Sequence, residues 1–198
     1  MRDEVRADAL LASLEQEHRG KLKVFLGAAP GVGKTYAMLQ AVREQAKEGV
    51  DILIGVVETH GRQETLALLD KLAIQPRKLH LHRQQRLEEM DLDGLLARKP
   101  AIAVVDELAH SNAPGSRHEK RWQYVEELLG AGIDVYTTLN VQHLESLNDL
   151  VWQLTGVRVK ETLPDQVLLE ADSLVLIDLP PKELLGRLKE GKVYVPHQ

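Results

Sequence analysis

Ala28-Ala29-Pro30-Gly31-Val32-Gly33-Lys34-Thr35 follows the apolar run Val24-Phe25-Leu26 and precedes a helical pattern. In that context, strand then glycine-bearing turn then helix, the spacing G-x-x-x-x-G-K-[ST] reads as a phosphate-binding loop. Small residues let successive backbone N–H groups turn inward around a triphosphate. Lys34 then reaches the β and γ phosphates and Thr35 offers a hydroxyl to Mg²⁺. The helix opening near Gly33 adds the positive end of its dipole. The strict pattern asks for glycine where this chain has Ala28, with the glycine displaced to Gly27. The bland alternative is a glycine-rich strand-to-helix turn that binds nothing.

Outward from this loop, strand and helix signals alternate. Residues 23–26 read as a strand, 34–47 as a helix stopped by Gly49, and 51–57 as a second strand. A helix is predicted over 62–72, a short strand over 78–81, and a helix over 87–98 ahead of Pro100. The run Ala101-Ile102-Ala103-Val104-Val105 has no polar alternation, so it belongs in the middle of a parallel sheet. Ser116-Arg117-His118-Glu119 is a capping-box pattern predicted to open a helix to about residue 129. A strand over 133–139 and a helix over 141–154, ended by Gly156, follow it. Residues 156–172 carry mixed signals, an irregular loop or a small hairpin; then come a strand over 174–177, a helix from Pro180-Pro181 to about 190, and a short β-rich run at 193–195. The alternation predicts an α/β fold of the P-loop NTPase class, a mainly parallel central sheet with helices on both faces. Residues 3–18 carry Val5, Leu10, Leu11 and Leu14 at helical spacing, which divides the chain into an N-terminal helix over 1–19 and the main domain over 20–198.

Composition narrows the function. A chain of 198 residues forms one such domain with a substantial core. Its net charge of −5, a single Phe and no Lys/Arg cluster argue against nucleic acid as a partner. There is no cysteine, which removes thiol catalysis, disulfides and thiolate metal sites and fits a cytoplasmic setting. No run of about 18 apolar residues occurs, so no direct membrane insertion is expected. The final residues show no terminal cap, which is compatible with a segment of something longer.

In open α/β sheets ligands sit beyond the carboxyl ends of the strands, so residues following each strand are the informative ones. Asp106 ends the buried apolar run, where a rigid strand would deliver a carboxylate to Mg²⁺; a strand-end Asp that merely caps a turn is the alternative. Glu107 follows at once and is the candidate base, or water-orienting group, for ATP hydrolysis; a structural ion pair is its alternative. A P-loop with Asp-Glu goes with one strand inserted between the P-loop strand and the Mg²⁺-binding strand, the RecA-like arrangement. Residues 133–139 are predicted to be that strand, bringing Asn140 and Gln142 beside the γ-phosphate. Arg62, Arg117 and Arg121 are candidates for phosphate-facing charge, although most loop arginines pair with surface carboxylates. His60, His110, His118 and His143 fall in loops at the same sheet edge without the local spacing of a zinc site.

The strings Gly20–Thr35, GVVETHGR at 55–62, VDELAHSNAPGSRH at 105–118 and YTTLNVQHLESLND at 136–149 closely resemble the N-terminal cytoplasmic domain of KdpD-type sensor histidine kinases, the osmosensitive potassium-responsive proteins of bacteria. The likeness covers residues from about 20 to the C-terminus. It implies an ATP-binding regulatory domain, with ATP and Mg as cofactors held by Ala29, Pro30, Gly31, Val32, Gly33, Lys34, Thr35, Asp106 and Asn140. It also implies a cytoplasmic place in a bacterial inner-membrane protein. In that family the domain precedes a universal-stress-type domain, four membrane spans and the kinase core. Its partners would be those downstream domains and, only through the full-length protein, a response regulator. Autophosphorylation by the family's route needs a kinase core that these residues do not contain. A nucleotide-sensing module is the leading reading. A slow ATPase, a RecA-like phosphoryl or adenosyl transferase, and a platform that nucleotide merely stabilises are the alternatives.

Overall fold

The computed structural model describes residues 18–82 and 85–189. The helix expected ahead of residue 18 and the strand expected at 193–195 lie outside them. The described chain runs β1 (Leu22–Gly27), α1 (Lys34–Lys47), β2 (Ile52–Val56), α2 (Gln63–Leu68), β3 (Ala73–Ile74), β4 (Lys78–His82), β5 (Gln85–Glu89), α3 (Leu92–Arg98) and β6 (Ile102–Val105). It continues through α4 (Arg121–Gly130), β7 (Asp134–Asn140), α5 (Asn148–Thr155), α6 (Asp165–Leu169), β8 (Ser173–Ile177) and α7 (Pro181–Lys189).

Six strands form one sheet in the order β3-β2-β6-β7-β1-β8, every neighbouring pair parallel. The order follows from burial. All four residues of β6 and all five of β2 are buried, so both strands need cover on both faces. Ile54, Ile102, Val104 and Phe25 face α1, which inserts Met38, Leu39 and Val42, each fully buried and each contributing roughly 1.5–3 kcal/mol. Val24, Ala103, Val105 and Val135 face the other way, against Leu95 of α3, Val125 and Leu128 of α4 and Val167 of α6. The predicted inserted strand is β7, lying between β1 and β6. The paired register of Gly27 with Asn140 and with Ile177, and of Val56 with Val105, lines up five strand ends along one edge.

Several expectations need correction, among them the helix over 62–72, which ends at Leu68 and gives way to β3. The helix over 87–98 is instead strand β5, antiparallel to β4, followed by α3 from Leu92. Leu87 and Glu89 point inward while Arg86 and Glu88 are exposed, a period of two that a buried carboxylate hides from an apolar pattern. The helix opened by Ser116 starts at Arg121, where the Gln123 side chain accepts the Lys120 backbone N–H at 3.1 Å. The helix over 141–154 is interrupted: two single 3₁₀ turns precede α5, because Leu144 is extended and bridges Leu163, with Leu163 N–H donating to the His143 carbonyl at 2.9 Å. The mixed segment 156–172 contains the short helix α6.

Gly20 is required by close approach. Its N–H donates to the Leu129 carbonyl at 2.8 Å, and a Cβ there would stand 2.1 Å from the Ile133 carbonyl oxygen. Backbone on both sides cannot yield, so Gly20→Ala is expected to destabilise the domain by about 3 kcal/mol, at the upper end for overpacking. Denaturant unfolding of the variant beside wild type measures it.

Candidate functional site

The sheet edge gathers a half-open cavity of about 340 Å³ above Gly31, Gly33, Lys34 and Thr35. Gly33 adopts φ 106°, a left-handed turn that glycine tolerates, and it caps α1. Ala37 N–H makes the first helical bond back to Gly33, leaving the N–H groups of Lys34, Thr35 and Tyr36 without helical acceptors. Gly27 accounts for the displaced glycine of the sequence. A Cβ there would meet the Lys34 stem and Val32 Cγ2 at 2.7 Å, so the missing side chain lets the lysine lie across the strand end.

Lys34 is 8 % exposed, and its ammonium donates to the Ala29 carbonyl at 3.3 Å. Burial lowers its pKa to about 8, against the opposing pull of Asp106 and Glu107. Asp106, fully buried just beyond β6, accepts from both neighbouring strand ends: the Thr138 hydroxyl of β7 and, at 3.1 Å, the Glu58 N–H beyond β2. The Thr35 hydroxyl donates to its two oxygens at 3.1 and 3.3 Å. Two oxygens that bind one Mg²⁺ at right angles, each about 2.1 Å away, sit about 3 Å apart, so this pair fits adjacent positions of an octahedral ion. Among the described residues no group of three His, Asp or Glu side chains is placed to hold a metal unaided. An ion here would therefore complete its shell with ligand phosphate and water.

Glu107 lines the cavity with backbone φ 57°, a conformation that few non-glycine residues adopt. His60, at φ 49°, faces it with Nε2 3.6 Å from the carboxylate. Burial raises the Glu107 pKa, and the Asp106 charge adds to it. Asn140 ends β7 on the cavity wall with its Oδ1 buried and without a partner among the described residues, while Gln142 lines the same wall. Arg62 opens α2 at the rim, and among the described residues its guanidinium makes no ion pair.

Ala29, Pro30, Gly31, Gly33, Lys34, Thr35, Asp106, Glu107, Asn140 and Arg62 are thus brought to one edge, with Val32 buried beneath the loop. Arg117 is not among them. The bridge of Ser111 to Lys120 folds the loop down toward α4, where Arg117 pairs with Glu127 at 2.8 Å and with Asp93. Arg121 is buried behind Asp106, donating to the Asp106 carbonyl at 2.9 Å and standing 3.5 Å from Glu89. His118 pairs with Glu127, whereas His110 and His143 reach the cavity.

Sequence reasoning placed His143 at this sheet edge but gave no role to Glu161, which also lines the cavity. His143 Nδ1–H donates to the Glu161 carbonyl at 2.7 Å, and burial lowers its pKa, so a neutral ring turns Nε2 toward Asn140. The three-residue spacing of Asn140 and His143 in one tight turn was the available signal. Glu161 had none, because its contacts with the site, the Ser111 N–H at 2.8 Å and the His143 ring, join it to residues 18 or more positions away in sequence.

Residues 18–198 match the family described as KdpD, osmosensitive K⁺ channel His kinase sensor domain. The chain is 59 % identical over 191 residues to the sensor protein KdpD of Escherichia coli K12, covering 96 % of this chain and 21 % of that protein. It is 53 % identical over 184 residues to the KdpD of Clostridium acetobutylicum, covering 93 % and 20 %, and 49 % identical over 176 residues to that of Mycobacterium tuberculosis H37Rv, covering 89 % and 20 %. It therefore spans about a fifth of the length of these relatives. With nearly the whole chain matched, it belongs to the KdpD osmosensitive K⁺ channel histidine kinase sensor-domain family.

Proposed function

We propose that this domain binds ATP with Mg²⁺ at the cavity above Lys34 and that occupancy, transmitted to the downstream domains of a cytoplasm-facing sensor kinase, adjusts its balance of kinase and phosphatase activities. The observation that carries the reading is the Thr35 hydroxyl 3.1 Å from the Asp106 carboxylate, joined across 71 residues of sequence beside a buried lysine. The inserted strand β7 supports a RecA-like P-loop arrangement. The backbone donors at the start of α1 would take the phosphates, Lys34 would neutralise their charge, and Thr35 with Asp106 would hold Mg²⁺. The bound ion would supply charge stabilisation to the phosphate oxygens. Arg62 and the loop at 58–62 would close on the terminal phosphate, giving the downstream chain a surface that depends on occupancy. The response regulator would sense the nucleotide only through the full-length protein.

A second reading, slow hydrolysis, is favoured by Glu107 at the same cavity with its raised pKa. In hydrolysis its carboxylate would take a proton from the attacking water as the water oxygen bonds the γ-phosphorus and the bond from that phosphorus to the β–γ bridging oxygen breaks, ADP leaving with the electron pair. Only the ionised form can accept that proton, so the rate is expected to rise with pH across a range above that of an ordinary carboxylate. Titrating Mg·ATP onto the domain while following release of labelled γ-phosphate tests both readings. Saturable, Mg-dependent binding is expected. If phosphate is released, Glu107→Gln should remove the pH-dependent release by about a hundredfold and leave binding intact. No binding of ATP at millimolar concentration would overturn the nucleotide reading.

A further inference from the structure

A second cavity, about 610 Å³, lies across the Gly31–Gly33 loop from the first. The two share Gly31, Gly33, His60 and Arg62 as walls, so one ligand laid over the loop can occupy both. They differ in chemistry. The first is lined by Lys34, Thr35 and Glu107 beside the buried Asp106. The second is walled by the exposed ring of Tyr36, by Ala37, and by Ile177 at the end of β8, and it is capped by Arg187 of α7. The Arg187 guanidinium donates to the Gly31 carbonyl at 3.3 Å, and its Nη1 stands 3.6 Å from the place a Cβ on Gly33 would take. Tyr36 is the third residue of α1, and its free N–H follows those of Lys34 and Thr35. Phosphates resting on these donors, with the terminal one toward Asp106, lead the rest of the ligand toward the Tyr36 ring.

We infer that the second cavity is the nucleoside half of the site, in which Tyr36 stacks on the base of a nucleoside triphosphate and Ile177 and Arg187 enclose its base and ribose. A flat aromatic wall beside a planar cation suits a neutral aromatic base better than it suits more phosphate. The size agrees, since pockets for small ligands hold roughly 300–1,000 Å³. This inference rests on the nucleotide reading given above. It adds that the domain distinguishes a nucleotide from a bare polyphosphate, and that residues far apart in sequence, Tyr36 and Arg187, make the distinction.

Calorimetric titration with Mg·ATP and, separately, with Mg·inorganic triphosphate tests it on wild type, Tyr36→Ala and Tyr36→Phe. Wild type is expected to bind ATP about tenfold or more tightly than triphosphate, as one stacked base warrants. Tyr36→Ala should weaken ATP by about tenfold and leave triphosphate unchanged, the latter also reporting an intact fold. Tyr36→Phe should stay within about twofold of wild type for both ligands. Equal loss of both ligands in Tyr36→Ala, or no loss of either, would overturn the inference. Wild type that binds triphosphate as well as ATP would overturn it alone, leaving the phosphate site standing. Wild type that binds neither would remove the nucleotide reading and this inference together.

Discussion

Lys34→Met is expected to abolish nucleotide binding while making the unliganded domain more stable. The opposite signs follow from one fact, a lysine held in a buried place with its pKa near 8. The shift from 10.5 to about 8 corresponds to roughly 3 kcal/mol by which burial disfavours the ammonium at neutral pH, with Asp106 and Glu107 only partly offsetting it. The folded pKa lies below the unfolded one, so between about pH 8 and 10.5 the unfolded chain holds the extra proton. The penalty is present in full below pH 8 and disappears as pH rises through that window. Methionine fills the channel over Gly27 without a charge. The unliganded midpoint should therefore rise by about 3 °C or more at pH 7, with the gain shrinking toward pH 10. Mg·ATP affinity should fall by at least about a hundredfold, because the phosphates lose the buried ammonium that faces them. Thermal melts at several pH values, with and without Mg·ATP, measure both effects. A variant less stable than wild type at every pH would show that the lysine is a structural group, not a strained binding group.

That combination of strain and exposed opportunity explains what was legible in the sequence. The loop at 28–35, the strand ends at Asp106 and Asn140 and the inserted strand β7 were readable because each is a local pattern. An apolar run fixes a strand, and the residue after it must stand at the sheet edge. Strand β4 was readable over 78–81, but its partner β5 was not, because Glu89 occupies a buried position and its partners, His110, Ala113 and Arg121, come from a loop and a helix at least 21 residues away. The break at Leu144 depends likewise on Leu163. Arg117 and Arg121 looked alike, two arginines after one Asp-Glu pair, and only the turn formed by Asn112 N–H and the Glu119 carbonyl sends one to the surface and the other inside. Tyr36 could have been noticed as an aromatic directly after Lys34-Thr35. Arg187, 156 residues from its partner Gly31, could not.

Arg121→Met is expected to have the largest effect on stability, a loss of about 3–5 kcal/mol, and to disturb the site from behind. The guanidinium is 3 % exposed, spans from Glu89 Oε2 at 3.5 Å to the Asp106 carbonyl at 2.9 Å, and among the described residues leaves Nε without a partner. Burial lowers its pKa, and Glu89, Glu107 and Asp106 oppose that. Burial also pushes the Glu89 carboxyl up, but the hydrogen bond and charge of His110, with Arg121 and the Ala113 N–H, outweigh it and hold it below its ordinary value. Removing the arginine leaves that carboxylate buried beside His110 without the guanidinium, which costs more than the pair is worth. The midpoint should drop by about 6–15 °C at pH 7. Glu89→Leu combined with Arg121→Met should recover about 1–3 kcal/mol relative to the sum of the single changes, since no charge is then stranded. The Asp106 carbonyl loses its donor in Arg121→Met, so the Mg²⁺ concentration needed for ATP binding should rise while metal-free binding changes little. An arginine acting on the phosphate would behave the other way. A variant as stable as wild type with ATP affinity alone reduced would return Arg121 to the ligand and dissolve the support we assign to it.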